Sequence, residues 1–184
     1  MGRSELIQTL TAYKTTYPEE QRFIPAFLEL LHHPRAYYRD HLPGHITASA
    51  MIVDATAQNI LLLHHRKLDR WLQPGGHADG DENVLQVARK EVFEETGLQT
   101  FIFQSDVFDV DIHAIPARPD FVEHYHYDIR FLFQVDRNAA LHVNDESFAI
   151  RWFPIDEIAS VTGGSDSILR MATKARELFA GNDK

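Results

Sequence analysis

Three glutamates carry the densest chemistry in this sequence. Glu91, Glu94 and Glu95 stand in the run Lys90-Glu91-Val92-Phe93-Glu94-Glu95-Thr96-Gly97-Leu98. A helix turns about 100° per residue, so positions three and four apart share a face and the three carboxylates crowd together if the run is helical. Crowded like charges repel, and a helix built only for stability would alternate its signs. A hard divalent cation, by contrast, needs clustered oxygens. A solvated acidic face is the alternative use of such a run. Val84, Leu85, Ala88 and Val92 fall on the other side, so a helix predicted over Glu82 to Thr96 would be held by one face and armed on the other. Gly97 is placed to cap its C-terminus. The pair Gly75-Gly76 just before it predicts a tight turn that could expose the Gly75 carbonyl as a further ligand.

The spacing is similar to that of the Nudix box: Gly, five positions, Glu, seven positions, then Arg-Glu-hydrophobic-any-Glu-Glu-any-Gly-hydrophobic. Gly76, Glu82, Glu91, Val92, Glu94, Glu95, Gly97 and Leu98 fall in register with it. The string Trp71-Leu72-Gln73-Pro74-Gly75-Gly76-His77 also resembles a Nudix loop, with His77 an unusual occupant. One position departs: Lys90 stands where the family has the arginine that orients a catalytic glutamate, with Arg89 one place earlier. Lysine keeps the charge and loses the planar, two-pronged donor.

The resemblance implies a metal-dependent hydrolase of diphosphate linkages. It assigns Glu91, Glu94, Glu95 and the Gly75 carbonyl to Mg²⁺ or Mn²⁺, and gives Gly76 and Glu82 supporting roles. Glu91 is a candidate base, because crowded carboxylates can share a raised pKa. Such enzymes often recruit another acid from outside the box, and Glu146, in Asn144-Asp145-Glu146-Ser147, is the first candidate; a loop glutamate in solvent is the alternative.

Eleven histidines in 184 residues prompt a search for a second kind of site. On a strand predicted over Glu123 to Val135, alternation puts His124, His126, Asp128 and Arg130 on one face and Tyr125, Tyr127, Ile129, Phe131 and Phe133 on the other. The second set reads as core. The first could meet substrate phosphates, with Arg130 as an anion clamp, or a metal, or could simply be a polar outer face. Arg66, in His64-His65-Arg66-Lys67, is a further candidate for guiding phosphates.

The elements that must position these residues follow from periodicity. Ser4 to Tyr17, capped by Ser4, and a segment opened by Pro18 and stopped at His33-Pro34 predict two helices. This hairpin, residues 1–42, would pack on the following domain or on a second copy of the chain. Strands are predicted at His45 to Asp54, Ile60 to His65, Thr100 to Gln104, Val107 to Ile115, Glu123 to Val135 and Phe148 to Phe153. A final helix is predicted over Asp166 to Phe179, with Ile168, Leu169, Met171, Ala172 and Leu178 on its apolar face. Pro116 and Pro119 mark a surface loop. The pattern reads as α+β, and the resemblance implies an α/β/α layered Nudix-type domain over 43–184, with a mixed β-sheet between helices.

Composition narrows the function further. At 184 residues, with 44% hydrophobic content, the chain can bury one substantial core. A net charge of −9 argues against holding long nucleic acids, which requires a basic face. The absence of cysteine excludes thiol nucleophiles, disulfides and zinc–thiolate sites. No apolar window approaches a membrane span of about 20 residues, so a soluble, cytoplasmic protein is expected. The substrate implied is a small nucleotide: a nucleoside diphosphate linked to another group, with a nucleoside triphosphate or a capped RNA end as the nearest alternatives. A non-catalytic, nucleotide-sensing Nudix-like domain is the competing class, but it would not need the complete glutamate set. A homodimer is compatible with this reading.

Overall fold

The computed structural model describes residues 1–99, 101–103, 107–118 and 121–181. Helices α1 (Arg3–Ala12) and α2 (Pro18–Leu31) open the chain and are followed by strands β1 (Gly44–Val53), β2 (Asn59–His65), β3 (Arg70–Leu72) and β4 (Gly75–His77). Helix α3 (Val84–Thr96) leads to β5 (Ile102–Phe103), β6 (Asp109–Ile115), β7 (His124–Gln134) and β8 (Ser147–Pro154). A 3₁₀ turn (Ile155–Glu157), α4 (Ile158–Val161) and α5 (Asp166–Ala180) complete it. The strands run in the order β3-β2-β1-β7-β5, with β4 on β1, β6 on β7 and β8 on β2. This is an α+β arrangement of a mixed sheet with helices.

Two compact units are distinguished. The first comprises Met1–Ser49, Gly75–Arg89 and Asp106–Phe131. Its core combines Leu6, Leu10, Phe27 and Leu31 of the helical hairpin with Ile46, Val84, Ile129 and Phe131. The hairpin packs on β6 of this unit. Glu20 of α2, wholly buried, accepts hydrogen bonds from the Tyr13 hydroxyl at 2.7 Å, from Thr15, and from the Val110 amide at 3.3 Å. The Tyr13 hydroxyl also contacts the Phe108 carbonyl at 3.0 Å.

α1 stops at Ala12, five residues short of the predicted end, and Tyr13 is extended. β-branched Thr15 and Thr16 and the pre-proline position of Tyr17 disfavour helix there. Ser4 lies inside α1, whose cap position is Gly2, so the predicted serine cap is not formed.

The second unit comprises Ala50–Pro74, Lys90–Ser105 and Leu132–Lys184. Here β2 pairs with β8 along its full length, Asn59 opposite Pro154 through His65 opposite Ser147. Ile60, Leu61, Leu62, Phe133, Ile168 and Met171 are buried in it. On α5, Ile168, Met171 and Ala172 are buried as predicted, whereas Leu178 is exposed and Arg170 and Ala175 take buried positions instead. The turn from β1 to β2 is organised by Asp54, which accepts from the amides of Gln58 (2.9 Å) and Asn59 (3.2 Å), the Asn59 side chain (2.6 Å) and the Thr56 hydroxyl (3.1 Å).

Gly75 and Gly76 do not form the predicted turn. They are the strand β4, paired antiparallel to β1 with Gly75 opposite Ser49 and Gly76 opposite Ala48. The glycine requirement comes from close approach: a Cβ on Gly75 would lie 2.3 Å from the Ser49 Cβ. Of the strand predicted over Thr100 to Gln104, Thr100 and Gln104 lie outside the described residues, as does Pro119 of the predicted loop. No helix among the described residues is long and apolar enough to cross a membrane.

Candidate functional site

The carboxylate helix begins one turn's edge later than predicted, at Val84, because Asn83 acts as its cap. The Asn83 side-chain oxygen accepts from the Gln86 amide at 3.2 Å, and the Asp81 carboxylate accepts from the Asn83 amide at 2.8 Å. Val84, Val87, Ala88 and Val92 are buried and hold α3 by its apolar face. At the other end Gly97, at φ 76°, donates its N–H to the Phe93 carbonyl at 2.8 Å, the αL cap that the sequence predicts.

Within the second unit the three glutamates have graded exposure: Glu94 is exposed, Glu91 half-buried and Glu95 buried at 6%. Lys90 places its Nζ 3.7 Å from the Glu94 carboxylate, one helical turn on. The Asn144 side chain donates to the Glu94 carbonyl at 3.2 Å, and its oxygen accepts from the Glu146 amide at 3.0 Å. The loop bearing the exposed Glu146 is therefore fastened beside the helix end that carries the acids. Arg66 completes the fastening. Its amide donates to the Glu146 carbonyl at 2.8 Å, and its guanidinium to the carbonyls of Asp145 (2.9 Å) and Ser147 (3.1 Å). The same guanidinium lies 4.5 Å from the centre of the Phe148 ring. These contacts make the exposed Arg66 a loop-holding residue.

In the first unit Glu82 precedes α3 and pairs with Arg3 of α1 at 2.7 Å. Asp79, at φ 49°, is held by Arg39 through two contacts, one of them 2.6 Å.

The polar face of β7 is not open to an external anion. Arg130 is 2% exposed and bonds Asp128 at 2.8 Å, Asp111 at 3.1 Å and Asp109 at 3.3 Å. Thr47 (3.0 Å) and Ser49 (2.7 Å) donate to the two Asp128 oxygens. Burial alone would favour the neutral form of Arg130, but the three surrounding aspartates raise its pKa. The anion-clamp expectation for Arg130 is therefore replaced by a buried ionic network. Sequence reasoning missed Asp109 and Asp111, although a signal was present: they alternate with His113 on β6. The register sets Asp109 opposite Arg130, Asp111 opposite Asp128 and His113 opposite His126.

The histidines of that face converge with two others. His126 Nε2 lies 3.2 Å from His77 Nε2 and 3.3 Å from His124 Nε2. One donor nitrogen from each of His45, His77 and His126 lies within 4.8 Å of the other two. Burial lowers the pKa of His45, of His77 to about 4 and of His126 to about 2, and neighbouring cationic groups add to the effect. His45 at the start of β1 drew no attention in the sequence, because nothing local marks which distant residues its strand will face.

The arrangement of a carboxylate helix after a glycine strand, on a mixed sheet, defines a class. A family model described as the NUDIX domain matches residues 43–174, which is 132 of 184 residues, and the chain belongs to that family. It is an enzyme of the Nudix pyrophosphohydrolase type. Rat bis(5'-nucleosyl)-tetraphosphatase (asymmetrical) is 28% identical over 108 residues, covering 57% of this chain and 70% of the relative. A C. elegans Ap4A hydrolase solved as a binary complex aligns with a TM-score of 0.61 at 18% identity, over 74% of this chain and 98% of that one. A NUDIX-family hydrolase from Clostridium perfringens aligns at 0.57 and 23% identity, over 73% and 97%. At these identities the two structures speak for the fold.

Proposed function

We propose that this chain hydrolyses a phosphoanhydride bond of a small nucleotide in which a nucleoside diphosphate unit is joined to a second group. Glu91, Glu94 and Glu95 would hold Mg²⁺ or Mn²⁺. The observation that carries this reading is the one-sided helix α3, with apolar positions buried and three acids together in one unit. The donor set fits a hard cation, since all the ligands are oxygens and two are only half-buried or exposed. Such an ion, when bound, neutralises diphosphate charge and lowers the pKa of a water.

The chain's own residues supply the rest. Lys90 sets the position of the Glu94 carboxylate; Glu91 or Glu146 accepts a proton from water; the Asn144 and Arg66 contacts hold the Glu146 loop near the Glu94 turn. Glu82 and Gly76 support the entry to α3.

A dinucleoside polyphosphate is the first substrate to test, because the rat relative's name states that chemistry for that protein. Nucleoside diphosphate sugars, nucleoside triphosphates and capped RNA ends are the further arms. A panel with Mg²⁺ or Mn²⁺, read by phosphorus NMR, should show cleavage between phosphorus atoms. Glu94→Gln and Glu95→Gln should lower kcat by at least about a hundredfold, ~2.7 kcal/mol of barrier, while metal-free thermal stability is kept or raised. Products with every diphosphate intact, or full activity in both variants, would sink the reading.

A further inference from the structure

We propose that His45, His77, His126 and His124 form a second metal site, selective for a zinc-type divalent cation and structural in role, which uses none of the Nudix-box glutamates. His126 Nε2 lies 3.2 Å from one imidazole Nε2 and 3.3 Å from another. In neutral rings a single N–H on His126 Nε2 can point at only one of these nitrogens, so the second contact is at best a shared, poorly aligned hydrogen bond. A cation removes the conflict. Two nitrogens on a tetrahedral zinc with bonds of about 2.0–2.1 Å stand about 3.3–3.4 Å apart, close to both separations.

The outer nitrogens point the same way. His124 Nδ1 lies 2.9 Å from the Val122 carbonyl, and His45 Nδ1 lies 3.4 Å from the His41 carbonyl. A backbone carbonyl on one ring nitrogen fixes the proton there and leaves the other as a lone-pair donor, as metal-ligating histidines are commonly held. For His45 that other nitrogen, Nε2, is fully buried and has no hydrogen-bond partner among the described residues. A buried polar atom left in this way costs stability unless something binds it. A ligand atom of His45 lies within 4.8 Å of those of His77 and His126.

Four imidazole nitrogens suit zinc, and also cobalt or nickel, far better than magnesium, which demands oxygen ligands. A closed set of four protein ligands is the mark of a structural site. The four come from β1 (His45), β4 (His77) and β7 (His124 and His126), so the cation would cross-link three strands of the first unit. One of these strands is β4, which begins at Gly75.

The test uses the full chain, free of any histidine tag, stripped with a chelator and titrated with Zn²⁺. Bound metal is measured by mass spectrometry after dialysis, and ligand geometry by the visible spectrum of the Co²⁺ form. Expected are one tightly held Zn²⁺ per chain, an intense four-coordinate Co²⁺ spectrum, and a melting temperature raised by Zn²⁺ even with Mg²⁺ already present in excess. His77→Gln and His126→Gln should each weaken Zn²⁺ binding by at least about tenfold and abolish the rise in melting temperature. Glu94→Gln and the exposed control His33→Gln should retain both. Far-UV circular dichroism checks folding. If His126→Gln unfolds, the half-buried His77→Gln decides; if both unfold, the Co²⁺ spectrum of the wild type decides. Zinc retained equally by His77→Gln, zinc lost in Glu94→Gln, or a weak six-coordinate Co²⁺ spectrum would overturn the proposal. Because catalysis is not the readout, its failure leaves the hydrolase reading standing, and the converse also holds.

Discussion

Lys90 stands where the Nudix box has arginine, and its ammonium lies 3.7 Å from the Glu94 carboxylate, with both side chains more than half exposed or nearly so (62% and 50%). An exposed pair one turn apart adds only a few tenths of a kcal/mol to the helix, so its value lies in holding Glu94 rather than in stability. Lys90→Arg, which restores two parallel donors, is expected to keep or raise kcat. Lys90→Met should lower kcat at least several-fold with little change in KM or melting temperature, since the contact tunes a catalytic group. Steady-state kinetics with matched thermal melts check this; a silent Lys90→Met would return the lysine to the solvent-exposed surface. The glutamate cluster was legible from sequence because the helical period alone decides which side chains share a face. Arg130 was misread for the complementary reason. Alternation on β7 groups it with His124, His126 and Asp128, but it does not say that β6 pairs alongside and sets Asp109 and Asp111 on that same face.

Pairs of elements account for the strongest local constraints. Between β6 and β7, one guanidinium is shared by three buried aspartates, and Arg130→Met would leave those acids without their cation. Removing one partner of a buried ionic group costs about 3–5 kcal/mol, so this variant should lose stability in chemical denaturation while kcat/KM per folded molecule stays near wild type. A raised KM with unchanged stability would restore the anion-clamp role. Between β1 and β2, burial pushes the Asp54 carboxyl up, but the hydrogen bonds from Asn59, Thr56 and Gln58 outweigh it and hold its pKa below the ordinary 3.8. A carboxyl depressed in the folded state contributes stability that is fully present above the ordinary value and is lost as pH falls through the folded one. Asp54→Asn should therefore be less stable than wild type at pH 7, with the difference shrinking in acid below 3.8, as measured by urea denaturation across pH. A constant difference would show that the carboxylate charge is not what the turn uses. Long elements such as β7 and α5 were readable from period; the three-residue strands β3 and β4 were not, since three residues carry no period and Gly75-Gly76 signals a turn in isolation.

Across the molecule, the sequence located the hairpin before residue 43 but left open whether it covers the following domain or another copy of the chain. Its fastening is internal to the first unit, through Glu20 to the Val110 amide, Tyr13 to the Phe108 carbonyl and Arg3 to Glu82. No periodicity argument could pair these residues, because each contact joins positions 79 to 95 apart in the chain. That separation matters during synthesis. Glu20 leaves the ribosome 90 residues ahead of Val110, a delay of roughly 5 to 18 seconds at ordinary elongation rates. Throughout that interval Leu6, Leu10, Phe27 and Leu31, wholly or almost wholly buried in the finished protein, have no β6 to lie against. The hairpin is thus made well before the strand it packs on, and the nascent chain presents a greasy two-helix surface to chaperones until β6 has emerged.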